Sequence, residues 1–179
     1  MTIATAPIES RKPRRAVEDR VLDLEELGVE DKGPVVTVSG IIARTGVIYR
    51  LAGEGAEERR ERFGHSAFAR LNMENTRLSL FAAPKRVDYM PSVIASTRAG
   101  TLRIFHDGDG LGVEFDIEAD RHPGSVVAGA FRTGNLRELG ISFVALRERT
   151  GPLAIVRTIT EAKVMSLFIP FEGATVTPV

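Results

Sequence analysis

Ser142 is the residue of this sequence best suited to act as a nucleophile, because it lies inside the apolar run RELGISFVALRER at residues 137–149. A serine hydroxyl attacks a carbonyl when a base removes its proton and a third group orients that base. The candidate bases are the three histidines, His65, His106 and His122. Each stands beside a predicted turn or helix start, where an exposed histidine is the simpler interpretation. The sequence around Ser142 thus leaves three interpretations open: a working nucleophile, the relic of one, or a packed strand residue.

The other motifs predict neither a metal nor a cofactor. The chain has no cysteine, which excludes disulfides, thiolate metal sites and cysteine catalysis. His106, Asp107 and Asp109 belong to the stretch HDGDG, which lacks the next alternating oxygen ligand of a calcium loop and has the Asp-Gly pairs typical of a hairpin turn. The stretch GEGAEE at residues 53–58 lacks the Lys and the Ser or Thr of a phosphate-binding loop.

The charge balance argues against a nucleic-acid or membrane partner. Lys and Arg together number 24, as do Asp and Glu, and the formal net charge is zero. Such a chain has no long-range attraction to polyanions or anionic lipid. Residues 1–15 lack the apolar core of a secretory signal, and no apolar run reaches membrane-spanning length. With 179 residues, 43% of them hydrophobic, we expect one compact domain with a real core in the cytosol.

Short β-branched runs between turn residues predict a strand-rich domain. In the hairpin around HDGDG, the flanking runs alternate apolar and polar residues and are expected to bury Leu102, Ile104, Leu111, Val113 and Phe115. Other strands are predicted at residues 34–44, 46–52, 76–83, 137–149, 153–159 and 164–171, with a charged loop at 53–64 and helices at 66–72 and 123–134. These elements predict a β-rich α+β fold, a closed or half-closed β-barrel-like domain with one or two packed helices.

The first 32 residues differ in character from the rest and are predicted to form an N-terminal arm, with the domain at residues 33–179. Spacings of three and four join Val17, Val21, Leu24 and Leu27 into one stripe if the segment is helical. Basic residues precede acidic ones along the arm. An amphipathic helix of this kind would dock on a partner protein, and the alternative is a solvated tail.

Five segments, in this order, resemble the prohead maturation serine proteases of tailed double-stranded-DNA phages. They are VSGIIA, ERFGHSAF, AGTLRIFHDGDGLGVEFDIEAD, LGISFVALRER and RTITEAKVMSLFIPF, spread over roughly residues 35 to 179. The resemblance implies a β-barrel-like fold related to the herpesvirus assembly proteases. It also implies serine-protease chemistry on the scaffold region of the major capsid protein, inside a procapsid in the host cytoplasm.

The catalytic set that the resemblance implies is incomplete in this sequence. Ser142 falls on the family's nucleophile. The family's base is a histidine, but the interval between Arg70 and Gly100 contains none. Depending on how the loop is aligned, the position of that histidine falls on Ala83, Pro84 or Asp88.

The family's acid is not matched either. Its position falls on Lys163 or Val164, and Glu161 reaches it only if the strand slips by two residues. The glycine after the nucleophile is replaced by Val144, and the next aromatic by Ala145.

Retention of the fold with loss of catalytic residues indicates a protein whose shape is still used. We therefore expect a phage head-assembly or capsid component, a pseudoenzyme with lost or severely weakened catalysis that serves as a binding or structural protein. It would associate with major capsid or other head proteins, as a homo-oligomer or within the assembly, in the procapsid or the virion. The alternative is an active maturation protease that uses Ser142 with His65, His106, His122 or Glu161 as a substitute partner. A third class, a cellular binding module built on the same fold, is also open.

Overall fold

The computed structural model describes residues 16–51, 59–71, 76–80, 93–150, 156–170 and 175–178. In this part of the chain there are twelve strands and one helix. The strands are β1 Glu18–Asp23, β2 Glu25–Asp31, β3 Val35–Arg44, β4 Ile48–Leu51, β5 Arg59–Phe63, β6 Arg77–Leu80, β7 Val93–Ser96, β8 Leu102–His106, β9 Gly110–Glu118, β10 Glu138–Thr150, β11 Val156–Ile169 and β12 Thr175–Pro178, and the helix is α1 Gly124–Arg132.

The larger sheet has eight strands and curls on itself. Its order is β10-β1-β12-β4-β5-β11-β6-β7, and β10 also pairs with β11. The pairings therefore run around six strands and return to β10, while β6 and β7 extend the sheet beyond β11. The sheet is barrel-like because the two longest strands, β10 and β11, form an antiparallel ribbon that joins its two sides.

The smaller sheet is antiparallel, with four strands in the order β2-β3-β9-β8. Helix α1 packs on β9, where the Phe131 ring lies 5.7 Å from that of Phe115. Both sheets contribute to one contiguous core. Near β10 the core contains the ring of Phe63, which lies 5.0 Å from Phe68 and 5.5 Å from Phe143. The β-rich α+β class predicted from the sequence is confirmed, with one helix in the described part of the chain.

Local signals predicted several elements correctly. The hairpin forms as β8 and β9, and its five predicted core residues are all at most 3% exposed. Asp107 closes the turn, because its Oδ1 accepts the backbone N–H groups of Asp109 and Gly110 at 3.0 and 2.9 Å. Helix α1 begins directly after Pro123, and Gly134, at φ +70°, follows its end as expected of a helix C-terminus.

The helix predicted for the N-terminal segment is wrong. Residues 18–31 form β1 and β2, and β1 pairs with six consecutive residues of β10. Leu22 and Leu24 are buried in the same core as the rest of the domain. Strand pairing outweighs the helical stripe because it satisfies the backbone and buries apolar side chains at once. The division into an arm and a domain at residue 32 stays a prediction.

Three other local predictions are corrected. The helix expected at residues 66–72 is a series of turns over residues 65–70, with Ala67 and Ala69 donating backbone bonds three residues back. Residues 59–63 of the expected charged loop form β5, because its alternation buries Glu61 and Phe63. The two strands expected after residue 152 are one continuous strand, β11.

A network of charged side chains lies between β1, β5 and β11 at one end of the barrel-like sheet. Glu61 has a side chain only 1% exposed, and its carboxylate accepts hydrogen bonds from Arg20 at 3.0 and 2.8 Å and from Arg157 at 3.0 Å. Glu18 binds both arginines, at 2.8 Å from Arg20 and 2.7 and 2.5 Å from Arg157. Glu148 completes the network by pairing with Arg157. Glu61 is the buried member of this network, and its pairing with two arginines offsets the cost of removing its charge from water.

Replacing both Gly108 and Gly110 by Val is expected to destabilise the fold by about 3 kcal/mol or more. Gly108 has φ +94°, which β-branched residues resist, and a Cβ at Gly110 would lie 2.3 Å from the Ala43 carbonyl oxygen. Gly129→Ala is the control: nothing lies within 4 Å of its Cβ position, so helix propensity should stabilise the protein by about 0.5–1 kcal/mol. Urea denaturation measures both effects, and an unchanged midpoint in the double variant would contradict this turn geometry.

The ion pairs predict how acid affects stability. The hydrogen bond from Arg157 is the main reason that the pKa of Glu18 lies below its ordinary value of 4.5. A lowered folded-state pKa gives stability that is present above the unfolded-state value and is lost as the pH falls through the folded-state value. The gap in unfolding free energy between the wild type and Glu18→Gln should therefore be widest near pH 7 and shrink below about pH 4.5. Glu30→Gln, at a side chain 69% exposed, is the control, and a gap independent of pH would count against the assignment.

Deletions distinguish an N-terminal segment that is part of the domain from one that is a separable arm. Removing residues 1–32 deletes β1 and β2 and leaves Glu61 without Arg20, so we expect loss of cooperative thermal unfolding. Removing residues 1–15 deletes no residue of these strands and should leave the melting temperature within a few degrees of that of the full chain. A folded, cooperative protein after removal of residues 1–32 would show that the segment is a separable arm.

Candidate functional site

Ser142 lies in the first half of β10, between β1 on one side and β11 on the other. Its neighbours Ile141 and Phe143 are fully buried, whereas Ser142 is half-buried. Because side chains alternate along a strand, Ser142 faces away from the core on the outer surface of the curled sheet. The residues two positions before and after Ser142 on this face are Gly140 and Val144. The Phe168 ring covers Gly140, so the neighbours of Ser142 along its own strand are apolar.

The Ser142 hydroxyl donates a hydrogen bond to the carboxylate of Asp19, with 2.5 Å between Oγ and Oδ1. The two residues are direct partners in the antiparallel pairing of β1 and β10, which explains why they meet. Sequence reasoning missed Asp19 for two reasons. It lies 123 residues away from Ser142, and its segment was predicted to be helical. No local signal marks it.

The β11 side of Ser142 is irregular. Ser142 pairs with Ser166, while the next residue, Phe143, pairs with Val164. Met165 is therefore the extra residue of a β-bulge, and it is 42% exposed beside Ser142. Bulges change the direction of side chains and often lie near functional sites. The bulge therefore makes the surface around Ser142 suitable for contact with another molecule.

None of the three histidines is hydrogen-bonded to Ser142 in the described structure. His65 is exposed on the turn after β5, where its Nδ1 lies 3.4 Å from the Thr45 hydroxyl. His106 is the exposed last residue of β8, and His122 is exposed ahead of α1. The positions to which the family histidine aligns, residues 83, 84 and 88, lie outside the described residues.

The candidates for the supporting acid lie at different distances along β11. Val164 and Lys163 pair with Phe143 and Val144, next to Ser142, but neither is an acid. Glu161 pairs instead with Arg147, five residues beyond Ser142, which is about 17 Å along a strand. Its carboxylate lies 3.1 Å from Arg147 and 3.8 Å from Arg70. The structure therefore places Glu161 in a separate charged cluster.

The contact between Ser142 and Asp19 has limited chemical capacity. A carboxylate is too weak a base to accept the hydroxyl proton efficiently at neutral pH. Imidazole, the usual base, has an ordinary pKa close to neutral pH. The described residues hold no group of three His, Asp or Glu side chains that could bind a metal ion. None of the described helices has the length and hydropathy required to cross a membrane.

Comparison with known proteins places this site within a family. A family model described as caudovirus prohead serine protease matches residues 54–170. Searches of curated proteins and of solved structures gave no significant match. The matched region includes Ser142 and all of β5 to β11, while β1, with Asp19, precedes it. Because the match covers more than half of the chain, the protein belongs to the caudovirus prohead serine protease family.

Proposed function

We propose that this protein is a phage head-assembly component with a prohead-protease fold that acts by binding rather than by proteolysis. One observation carries the proposal: in the described structure, the Ser142 hydroxyl is bonded to the carboxylate of Asp19 and to no basic nitrogen. Without a base of suitable pKa, a serine hydroxyl is a poor nucleophile. The sequence between Arg70 and Gly100, where the family has its histidine, contains none.

The surroundings of Ser142 support the same function. Val144 and Ala145 stand where the family has a glycine and an aromatic residue, so the chain beyond the nucleophile differs from an active member. The core beneath the strand is intact, with Leu139, Ile141 and Phe143 fully buried. An intact core with altered chemistry is expected when the shape of a protein is used and its catalysis is not.

Family membership supports the proposed type of barrel and the proposed partners. The ring of strand pairings supports a barrel of the type found in the herpesvirus assembly proteases. A prohead-protease domain implies association with procapsid proteins in the host cytoplasm, and we propose the major capsid protein or another head protein as the partner. Assembly with further copies of this chain belongs to the same proposal.

The second candidate function is an active maturation protease. The short Ser142–Asp19 hydrogen bond and the adjacent bulge favour it, because they leave a polarised hydroxyl on an exposed strand face. In that case Asp19 would be the base, and Asp19→Asn should lower the rate by about 10²–10⁴-fold.

Incubation of the full chain with its capsid-protein precursor distinguishes the two functions. We expect intact precursor by mass spectrometry, no adduct at Ser142 with a fluorophosphonate reagent, and equal recovery of wild type and Ser142→Ala with proheads on sedimentation. An active member of the family serves as the positive control for both reactions.

Precursor cleavage that disappears in Ser142→Ala would overturn the binding function. If Asp19→Asn also abolished the cleavage while leaving the melting temperature unchanged, Asp19 would be the base. Failure of the wild type to sediment with proheads, together with intact precursor, would exclude both functions.

A further inference from the structure

A groove of about 960 Å³ opens at the surface beyond the Ser142 site. Its walls are the turn at residues 65–70, the second half of β10, the first half of β11 and the start of β1. Ser142 does not line it; the β10 residues that do begin at Ala145. The groove is thus a separate surface, and a ligand in it need not contact the serine.

One part of the groove has more arginines than carboxylates. Arg70 and Arg147, with side chains 81% and 75% exposed, share the single carboxylate of Glu161, which is 19% exposed. Arg70 lies 3.8 Å from Glu161, beyond hydrogen-bonding distance. Arg149 also lines the groove, and its side chain has no ion pair among the described residues. This part of the groove therefore holds three guanidinium groups and the carboxylate of Glu161.

The other acids of the groove offset only part of this excess. Glu18 and Glu148 are both bound to Arg157, and Glu18 is also bound to Arg20. The same two arginines also bind Glu61, so this network of three carboxylates and two arginines carries one net negative charge. The exposed donors of Arg70, Arg147 and Arg149 remain available to a ligand from solution.

The chemistry of the groove selects an acidic polypeptide. Guanidinium groups bind carboxylates through paired, charge-assisted hydrogen bonds, and several of them along a groove match an extended chain with more than one acidic side chain. A nucleic acid is disfavoured, because the chain has a formal net charge of zero and therefore no long-range attraction to a polyanion.

We propose that this groove binds an acidic, extended segment of a prohead protein. The identity of the partner as a prohead protein rests on the proposed function, whereas the preference for acidic peptide rests on the arginines alone. Arg70 and Arg147 make the main contacts with the ligand carboxylates. Glu161 orients Arg147 through their 3.1 Å ion pair.

Fluorescence anisotropy with the full chain tests the groove directly. The probe is a fluorescein-labelled octapeptide of alternating Glu and Ala, and the control probe replaces Glu by Lys. The acidic probe should bind, its affinity should fall with added salt, and the basic probe should bind at least about tenfold more weakly. Arg70→Gln combined with Arg147→Gln should weaken binding of the acidic probe by at least about tenfold.

Arg121→Gln is the matched control, because Arg121 is 78% exposed, lies outside the groove and pairs with Glu118. It should leave affinity within about twofold of the wild type. Absence of binding, or equal weakening by Arg121→Gln and the double variant, would overturn the proposal. Displacement of the probe by equimolar inorganic phosphate would also overturn it, since it would indicate a small-anion site.

Failure of this proposal is distinguishable from failure of the proposed function. If the groove does not bind acidic peptide, the probe stays free while the capsid precursor remains uncleaved. If the protein is an active protease, mass spectrometry detects Ser142-dependent cleavage of the precursor, whatever the affinity of the groove.

Discussion

The carboxylate of Glu61 is almost completely buried, and the arginines that neutralise it come from two distant parts of the chain, Arg20 and Arg157. A buried charge without partners is costly, and removing one partner of such a pair typically costs about 3–5 kcal/mol. Strands β1, β5 and β11 must therefore meet at this point. The guanidinium of Arg20 also lies over the Phe143 ring, 5.5 Å from its centre, so the network is joined to the core beneath β10.

The Ser142 site and the groove both depend on this meeting of strands. Once β1 is held beside β10, Asp19 lies opposite Ser142 on the outer face, while Arg20 turns inward to Glu61. Once β11 is held beside β5 and β10, Glu161 lies opposite Arg147 and forms part of the groove. Alternation along the strands separates the two roles, because adjacent residues face opposite sides of the sheet. The separation is partial, because Glu18, Glu148 and Arg157 of the charged network also line the groove.

The irregular pairing of β10 with β11 divides this ribbon into two regions. Register shifts occur between Ser142 and Phe143, and again on both sides of Arg147. Each shift increases the local twist and re-aims the side chains that follow. The first half of the ribbon therefore carries the serine with its apolar neighbours, and the second half carries the exposed arginines. In this member of the prohead serine protease family, the serine and the charged groove thus lie on different halves of one ribbon.

The sequence by itself determined the features that depend on neighbouring residues. Asp-Gly turn chemistry and strict alternation specify the β8–β9 hairpin, and Pro123 and Gly134 bracket α1, because turn and cap preferences act within a few residues. The order of residues established that no histidine lies between Arg70 and Gly100. Tertiary structure alone decided that β1 and β2 are strands, that Asp19 meets Ser142, and that Glu161 pairs with Arg147. These outcomes depend on pairing between residues far apart in the chain, where the energy of burial and hydrogen bonding outweighs local helical periodicity.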